Sequence, residues 1–250
     1  MIYVSILGPL LMRVAGEPIA IRGARTRSLL ALLVQRRNRS VRIDEVISEL
    51  WRDLPPSSAT PNVRTHVSAL RAYLGPARDR VVTAISGYTL QLKDEELDFV
   101  RFERVVADAR SMLRSGEVHA ALERYHHGLA MWRGDPLQDV PLGPRLHVFT
   151  TLLADAWIAA REGMCEAARR VGDVDQSIAW LHELVADFPT RESSWYLLID
   201  ALYQAGERAH ALEAYDLLRD VLASELGVEP GWRLADLREN IVSGARPTSC

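Results

Sequence analysis

The chain has 250 residues, of which 48% are hydrophobic and 25% are charged, and its formal net charge is −3. These values fit one or two globular domains. The apolar run near the N-terminus, Leu29 to Val34, is too short to span a bilayer. Cys165 and Cys250 are far apart and suggest neither a disulfide framework nor a zinc site, so we expect a cytoplasmic protein without a metal or cofactor.

The charge is distributed unevenly along the chain. Residues 1–93 contain fourteen Arg and Lys against six Asp and Glu, a balance of +8, whereas residues 94–250 contain sixteen against twenty-seven, a balance of −11. An asymmetry of this kind indicates two units with different partners. We therefore predict a domain over residues 1–93 that binds nucleic acid and a second domain over residues 94–250.

The basic part begins with strand-like segments and continues with helices. Residues 2–7, 10–14 and 19–21 predict a small antiparallel sheet, because short apolar runs are separated there by Gly and Pro turns. A first helix is predicted from Arg25 to Gln35. A second helix is predicted from Asp44 to Trp51, and its predicted inward face consists of Val46, Ile47, Leu50 and Trp51.

The third predicted helix runs from Thr60 to Gly75, with Thr60 as its cap and Pro61 at its first position. Its apolar residues recur at helical spacing and form one stripe: Val63, Val67, Leu70 and Leu74. The opposite face combines two arginines with short side chains, which allows close approach to a polyanion. We predict that this is a DNA recognition helix, although many amphipathic surface helices share this pattern.

Alternating residues from Val81 to Ala84 and from Tyr88 to Leu92 predict a hairpin after the third helix. A sheet, three helices and a hairpin in this order predict a winged helix-turn-helix, in which the third helix enters the major groove. The long loop from Arg52 to Thr60 makes this part resemble the OmpR/PhoB-type winged helix of response regulators. We expect no receiver domain in this chain.

The part that follows Lys93 predicts helices throughout. Gly116, Gly172 and Gly206 begin similar segments, and the last two are 34 residues apart. In the last repeat Trp195, Leu198, Ala211 and Tyr215 have tetratricopeptide spacing, and Ser177 and Leu181 take the corresponding places one repeat earlier. The predicted fold is mainly α: a winged helix with small antiparallel sheets, then an all-α tetratricopeptide-like bundle. A plain helical bundle is the alternative.

Seven ordered motifs carry a resemblance to a known family. They are Arg25-x-Arg27-x-Leu-Leu-Ala-Leu-Leu33, Asp44-x-x-Ile-x-x-Leu-Trp51, Asn62-x-Arg-Thr-His-Val-Ser-x-Leu-Arg71, Gly87-Tyr-x-Leu90, Asp98-x-x-Arg-Phe-Glu103, Leu129-x-x-Trp-Arg-Gly-Asp-Pro-Leu137 and Glu225-Leu-Gly-Val-Glu-Pro230. Together they resemble the Streptomyces antibiotic regulatory protein family over essentially the whole chain. The family joins an OmpR-type DNA-binding domain to a bacterial transcriptional activation domain of tetratricopeptide-like helices.

The resemblance implies a transcriptional activator that binds direct repeats in double-stranded DNA near a promoter and recruits RNA polymerase. The usual target is a gene cluster for a secondary metabolite such as an antibiotic. Larger members add an ATPase module, whereas this sequence has no Gly-x-x-x-x-Gly-Lys-Ser/Thr phosphate loop and resembles the small two-domain form. Tandem DNA sites would also make self-association on DNA, or a homodimer, plausible.

The predicted DNA contacts fall into three groups. The third helix supplies Asn62, Arg64, Thr65, His66, Ser68 and Arg71. The hairpin and its approach supply Arg78, Arg80, Ser86, Gly87 and Tyr88, and the first helix supplies Arg25 and Arg27, for which capping or pairing within the domain is an equal alternative. The loop before the third helix supplies polymerase-contact candidates, for which a mere connector is the alternative: Arg52, Asp53, Ser57 and Ser58.

No enzymatic activity is predicted. The seven histidines form no metal-ligand motif, and no nucleophile motif accompanies them. Trp132 to Pro136 resembles a binding motif, but a helix end and turn is the favoured interpretation. The main alternative function is a protein-binding adaptor whose basic domain docks on an acidic partner. A steep salt dependence of DNA binding would distinguish the two functions.

Overall fold

The computed structural model describes residues 1–244. In this range the chain forms six strands and ten α-helices, and it divides into two compact units. Unit 1 combines Met1–Val105 with His127–Trp157, and unit 2 combines Val106–His126 with the chain from Ile158 onward. The predicted domain boundary after Lys93 remains a prediction. Cys250 lies outside the described residues.

The strands belong to two small antiparallel sheets in unit 1. The first has the order β1 (Ile2–Ser5), β2 (Leu11–Val14), β3 (Glu17–Ile19), and the second has the order β4 (Val41–Arg42), β6 (Gly87–Leu90), β5 (Val81–Thr83). The two-residue strand β4 was not predicted from the sequence. It pairs Val41 with Tyr88 and makes the predicted two-stranded hairpin a three-stranded wing sheet.

Three helices follow β3 in the sequence, with β4 between the first two: α1 (Ala24–Gln35), α2 (Ile43–Trp51) and α3 (Ala59–Leu74). Each packs against the other two. The predicted buried stripe of α3 is confirmed, because Val63, Val67, Leu70 and Leu74 are all at most 1% exposed.

Two details of the predicted helices were wrong. The helix α3 begins at Ala59, and Ser58 rather than Thr60 is its cap residue. The first turn thus starts two residues earlier than Pro61 suggested, and Ala59 is buried. In α2 only Val46 of the predicted inward face is fully buried, whereas Ile47, Leu50 and Trp51 are half-buried and Glu49 is 3% exposed.

Seven more helices follow: α4 (Asp98–Ser115), α5 (Val118–Leu129), α6 (Pro144–Val171), α7 (Val174–Asp187), α8 (Glu192–Gln204), α9 (Arg208–Leu226) and α10 (Trp232–Ser243). The predicted mainly helical fold is confirmed. No helix among residues 1–244 combines the length and the apolar character that crossing a membrane requires.

The repeat seen in the sequence corresponds to helix pairs joined at glycines. Gly116, Gly172 and Gly206 have φ angles of +87°, +95° and +84°, a region that residues with a Cβ atom rarely adopt. The residues assigned to tetratricopeptide positions are buried: Ser177, Leu181, Trp195, Leu198, Ala211 and Tyr215. In unit 2, Ser177 Oγ donates a hydrogen bond to the carbonyl oxygen of Cys165 at 2.9 Å, and burial raises the pKa of that thiol to about 12.

The buried carboxylate of Asp98 joins the start of α4 to the turn after β1. Asp98 accepts hydrogen bonds from the backbone amides of Ile6 and Leu7 at 2.9 and 3.1 Å, and it lies 3.5 Å from the guanidinium of Arg133. Arg133 also donates its backbone amide to the carbonyl oxygen of Leu7 at 2.9 Å. The Trp132–Pro136 segment therefore forms a structural contact with the turn after β1, in agreement with the favoured interpretation of a turn.

Candidate nucleic-acid interface

The exposed face of α3 is polar and cationic. Arg64, Thr65 and Ser68 are exposed, and they lie opposite the buried stripe. Arg64 forms no ion pair among residues 1–244, so its guanidinium is available to an external anion. Thr65 Oγ1 donates a hydrogen bond to the carbonyl oxygen of Pro61 at 3.2 Å. The same oxygen atom can still accept a hydrogen bond from a group on the solvent side.

Arg71 occupies a different position from Arg64. Its Nε and Nη2 atoms donate to the carbonyl oxygen of Val81 at 3.1 and 2.7 Å, and Nη2 also donates to Thr83 Oγ1 at 2.8 Å. Val81 and Thr83 belong to β5, so the side chain of Arg71 joins α3 to the wing sheet. The residue therefore has a structural role that the sequence did not reveal.

Asn62 and His66 are half-buried at the edges of the face. Asn62 Nδ2 donates to Ser58 Oγ at 3.2 Å, within the first turn of α3. His66 Nδ1 lies 3.1 Å from Thr26 Oγ1 of α1. Burial, together with the nearby charge of Arg25, lowers the pKa of His66, which favours the neutral ring at neutral pH.

The wing tip exposes fewer of its predicted residues. Ile85 is fully accessible and Ser86 is exposed, whereas Gly87 and Tyr88 are buried. A Cβ atom at Gly87 would lie 1.8 Å from the carbonyl oxygen of Val41, so glycine permits the close pairing of β4 and β6. The surface that the tip offers to a ligand is therefore formed by Ile85 and Ser86.

The remaining predicted arginines divide by their partners. Arg78 is exposed, and its one ion pair within residues 1–244 is a long contact of 3.8 Å with Asp79. Arg80 instead pairs with the buried carboxylate of Glu96 through bonds of 2.9 and 3.0 Å. That interaction helps to lower the pKa of Glu96 against the opposing effect of its burial. Arg80 therefore has a partner within unit 1.

At the start of α1, Arg25 is exposed and its guanidinium lies 5.2 Å from the ring centre of Trp51. Arg27 forms an ion pair with Asp139, which also accepts a hydrogen bond from the amide of Leu10 at 2.8 Å. The first turn of α1 has no side-chain cap, so its amides are available to an anion. Of the two predicted arginines, Arg25 is the accessible one.

The loop between α2 and α3 is exposed over Asp53, Leu54, Ser57 and Ser58. Leu54 is 86% exposed, which is unusual for a large apolar side chain. Arg52 is anchored instead, because its Nη2 atom donates to the carbonyl oxygen of Leu142 at 2.8 Å. Arg52 is exposed as well, but this bond holds its side chain, so the exposed residues without such an anchor begin at Asp53 in the described part of the chain.

A buried glutamate fixes α2 to the start of α6. Glu49 accepts hydrogen bonds from the backbone amides of Arg145 at 2.9 Å and Leu146 at 3.2 Å. These amides belong to the first turn of α6, where a carboxylate satisfies unpaired donors and interacts favourably with the helix dipole. No local sequence pattern predicts this contact, because donor and acceptor are almost a hundred residues apart.

The accessible residues among the predicted contacts lie on α3, at the start of α1, between α3 and β5, and at the wing tip: Arg64, Thr65, Ser68, Arg25, Arg78 and Ser86. It places Arg27, Arg71 and Arg80 in contacts within unit 1. An accessible arginine between short hydroxyl side chains can donate two hydrogen bonds to phosphate or to the edge of guanine. No group of acidic, histidine or cysteine side chains suitable for a metal ion occurs in residues 1–244.

Comparison with known proteins gives two adjoining matches. Residues 16–90 match the family model described as transcriptional regulatory protein, C terminal, and residues 97–242 match the model described as bacterial transcriptional activator domain. The second match covers more than half of the chain. The matches follow one another in the order expected from the change of charge after Lys93.

The chain is 30% identical over 248 residues to the regulatory protein DnrI of Streptomyces peucetius, covering 96% of this chain and 91% of that protein. It is 34% identical over 242 residues to the transcriptional regulatory protein EmbR of Mycobacterium tuberculosis, covering 95% of this chain. It thus spans 62% of the length of EmbR.

A solved structure of Mycobacterium tuberculosis EmbR in complex with a low affinity phosphopeptide has a similar fold. The TM-score is 0.90 at 33% sequence identity, and the likeness covers 97% of this chain and 65% of that one. The likeness in fold therefore extends over both compact units, each with its own architecture.

Proposed function

Because the chain belongs to the Streptomyces antibiotic regulatory protein family of bacterial transcriptional regulators, we propose that it binds specific double-stranded DNA and activates transcription. The observation that carries this proposal is the accessible face of α3. Arg64, Thr65 and Ser68 project from a helix whose opposite side is fully packed in the core. In a winged helix such a face enters the major groove.

In the proposed complex Arg64 reads a base edge or grips a phosphate. Arg25 and the uncapped first turn of α1 bind the phosphate backbone on one flank, and Ser86 with Arg78 does so on the other. Arg71 positions α3 against the wing through Val81 rather than reading DNA itself. A bidentate arginine–guanine contact contributes roughly 1–3 kcal/mol of discrimination.

We further propose that the protein acts in the cytoplasm at direct repeats and recruits RNA polymerase holoenzyme. The exposed segment from Asp53 to Ser58 is the proposed polymerase contact in unit 1. Two copies bind tandem sites one helical turn or a multiple apart, which places them on the same side of the DNA. Membership of the Streptomyces antibiotic regulatory protein family supports a target among genes for a secondary metabolite.

A promoter experiment tests this proposal. Footprinting on promoter fragments from the protein's genomic neighbourhood is expected to show two protected half-sites in direct orientation. Transcription from the same fragment with purified polymerase is expected to rise when the protein is added. Uniform, sequence-independent protection would contradict specific reading of DNA, and specific protection without increased transcription would contradict activation.

Variants of the loop separate the two activities. Asp53→Ala with Ser57→Ala is expected to leave the footprint unchanged and to reduce transcription. The matched control is Glu123→Ala with Ser111→Ala, an acid and a serine that are exposed in unit 2. If the loop variant and the control behave alike, the loop is a connector and does not contact polymerase.

A further inference from the structure

Unit 2 contains an apolar groove that the proposed DNA contacts do not use. The groove has a volume of about 710 Å³ and is bordered by α7 and α9, with α8 between them. Its apolar lining includes Ile178 and Val185 of α7, Leu198 and Leu202 of α8, and Leu217 of α9. A groove of this size and character is large enough to accept several side chains of a ligand.

The dimensions of the groove fit a short helix. The lining residues run from Ile178 to Pro189 on one side and from Glu207 to Val221 on the other. At 1.5 Å per residue in a helix, these sides are roughly 17 and 21 Å long. A ligand helix of about three to four turns would therefore contact the whole groove with one face, as amphipathic helices do in other hydrophobic grooves.

Leu217 gives the groove an accessible apolar contact. Its side chain is 57% exposed, although it follows the buried Ala214 by one helical turn. Trp195 lies deeper at 3% exposure and donates its ring N–H to the carbonyl oxygen of Pro189 at 2.8 Å. The ring therefore presents carbon atoms to the groove while its polar atom is satisfied, which suits an apolar partner face.

The part of the chain that forms the groove carries an excess of negative charge. The segment from Val174 to Leu226 contains ten Asp and Glu against three Arg, a balance of −7. Two of these acids, Glu207 and Glu213, line the groove itself together with His182 and His210. Glu207 Oε2 lies 2.8 Å from Nδ1 of His210, which leaves its other carboxylate oxygen for a ligand. Arg219, one of the three arginines, already contacts Asp216 at 3.1 Å and Asp220 at 3.3 Å. The surroundings of the apolar lining thus favour positive charge.

We propose that this groove binds an amphipathic helix of another protein, with apolar residues on one face and Lys or Arg on its flanks. Apolar contact with Leu217 and its neighbours supplies most of the affinity, and attraction to Glu207 and Glu213 selects basic helices over acidic ones. The proposal concerns unit 2 alone and does not depend on whether unit 1 reads DNA.

The test uses the full chain and two labelled model peptides of fourteen residues, designed as ideal amphipathic helices. One has Leu on its apolar face and Lys elsewhere, and the other has Glu in place of every Lys. Fluorescence anisotropy is expected to show saturable binding of the Lys peptide and no binding of the Glu peptide. Equal binding of both peptides, or binding of neither, would overturn the proposal.

Two variants with matched controls locate the binding. Leu217→Asp is expected to weaken binding of the Lys peptide about tenfold or more. The control is Leu226→Asp, because Leu226 is similarly exposed but lies outside the groove, and we expect it to leave the binding unchanged. Glu207→Lys with Glu213→Lys is expected to weaken binding in the same way, and Glu123→Lys with Glu225→Lys is the charge-matched control. Equal effects of a variant and its control would place the binding elsewhere and overturn the proposal.

Sedimentation distinguishes a second copy of the chain from a separate partner. A dimer that dissociates in Leu217→Asp and persists in Leu226→Asp would show that the groove binds another copy, and the proposed basic helix would be the wrong occupant. A mass that is the same for the wild type and both variants is the result the proposal predicts. Both leucines are exposed, so we expect neither substitution to change the helical content. Circular dichroism of each variant checks this.

Discussion

Arg71 donates hydrogen bonds to the carbonyl oxygen of Val81 from two of its nitrogen atoms, at 3.1 and 2.7 Å. The contact joins the C-terminal half of α3 to β5 of the wing sheet, ten residues later in the sequence. It explains why the two arginines of α3 are not equivalent. Arg64 is exposed and is the proposed DNA contact, whereas Arg71 joins the helix to the wing sheet.

The first prediction concerns this difference. Arg71→Ala should lower the free energy of unfolding by about 1–2 kcal/mol, because the carbonyl of Val81 and the hydroxyl of Thr83 each lose a charged donor. Arg64→Ala should change it by less than about 0.5 kcal/mol, since the side chain is exposed and unpaired. Urea denaturation measures both values, and equal destabilisation by the two substitutions would contradict the assigned roles.

A second prediction concerns the buried carboxylate of Glu49. Glu49→Ala should destabilise the protein by about 1–3 kcal/mol, because two amides at the start of α6 lose their acceptor in a buried site. Glu49→Gln should restore part of the loss, since the amide oxygen still accepts one hydrogen bond. Thermal unfolding compares the three proteins. If Glu49→Gln is as unstable as Glu49→Ala, the carboxylate acts through its charge rather than through these bonds.

A third prediction concerns the close pairing at the wing. Gly87→Ala should destabilise the fold by about 1–3 kcal/mol, because the new methyl group would overlap the carbonyl oxygen of Val41 and must displace β4. Hydrogen exchange at the amide of Tyr88 should become faster as the sheet loosens. Unchanged exchange and stability would mean that β4 and β6 do not pair as closely as described.

A fourth prediction follows from the pKa of His66, which burial lowers below its ordinary value of 6.5. The unfolded chain binds a proton at this histidine more readily than the folded chain does. The stability that the neutral ring contributes is therefore complete above pH 6.5 and declines as the pH falls below that value. His66→Gln, which can keep a hydrogen bond to Thr26, should show a smaller loss of melting temperature between pH 7 and pH 5.5. An identical loss in both proteins would contradict this account.

The outcome for α3 shows how far the sequence could predict this structure. Its apolar stripe was readable, because 3.6-residue periodicity directly reports which side of a helix is buried. The order of sheet, helices and wing was also correct. The two-residue strand β4 could not be recognised, since Val41 and Arg42 are too few to show any alternation. Its pairing depends on Gly87, which lies far along the chain.

The contacts of individual charged residues were the least predictable feature. Arg27, Arg71 and Arg80 look like Arg64 in the sequence, yet each has a partner in unit 1. Their partners are carboxylates or a carbonyl brought near by folding, and a single sequence carries no local signal for such pairs. Composition and motif thus predict a cationic surface, whereas only the structure separates the accessible arginines from the paired ones.

The central claim, that α3 recognises DNA through Arg64, is tested most directly by a mobility-shift titration of three proteins. They are the wild type, Arg64→Ala, and a control in which two exposed arginines of unit 2 are replaced, Arg114→Ala with Arg124→Ala. Each protein is titrated on a neighbouring promoter fragment and on a shuffled fragment at two salt concentrations. We expect sequence-selective binding that weakens steeply with salt in the wild type and control, and a loss of about tenfold or more in Arg64→Ala. Equal affinity of Arg64→Ala and the wild type for the promoter fragment would contradict DNA recognition by this face of α3.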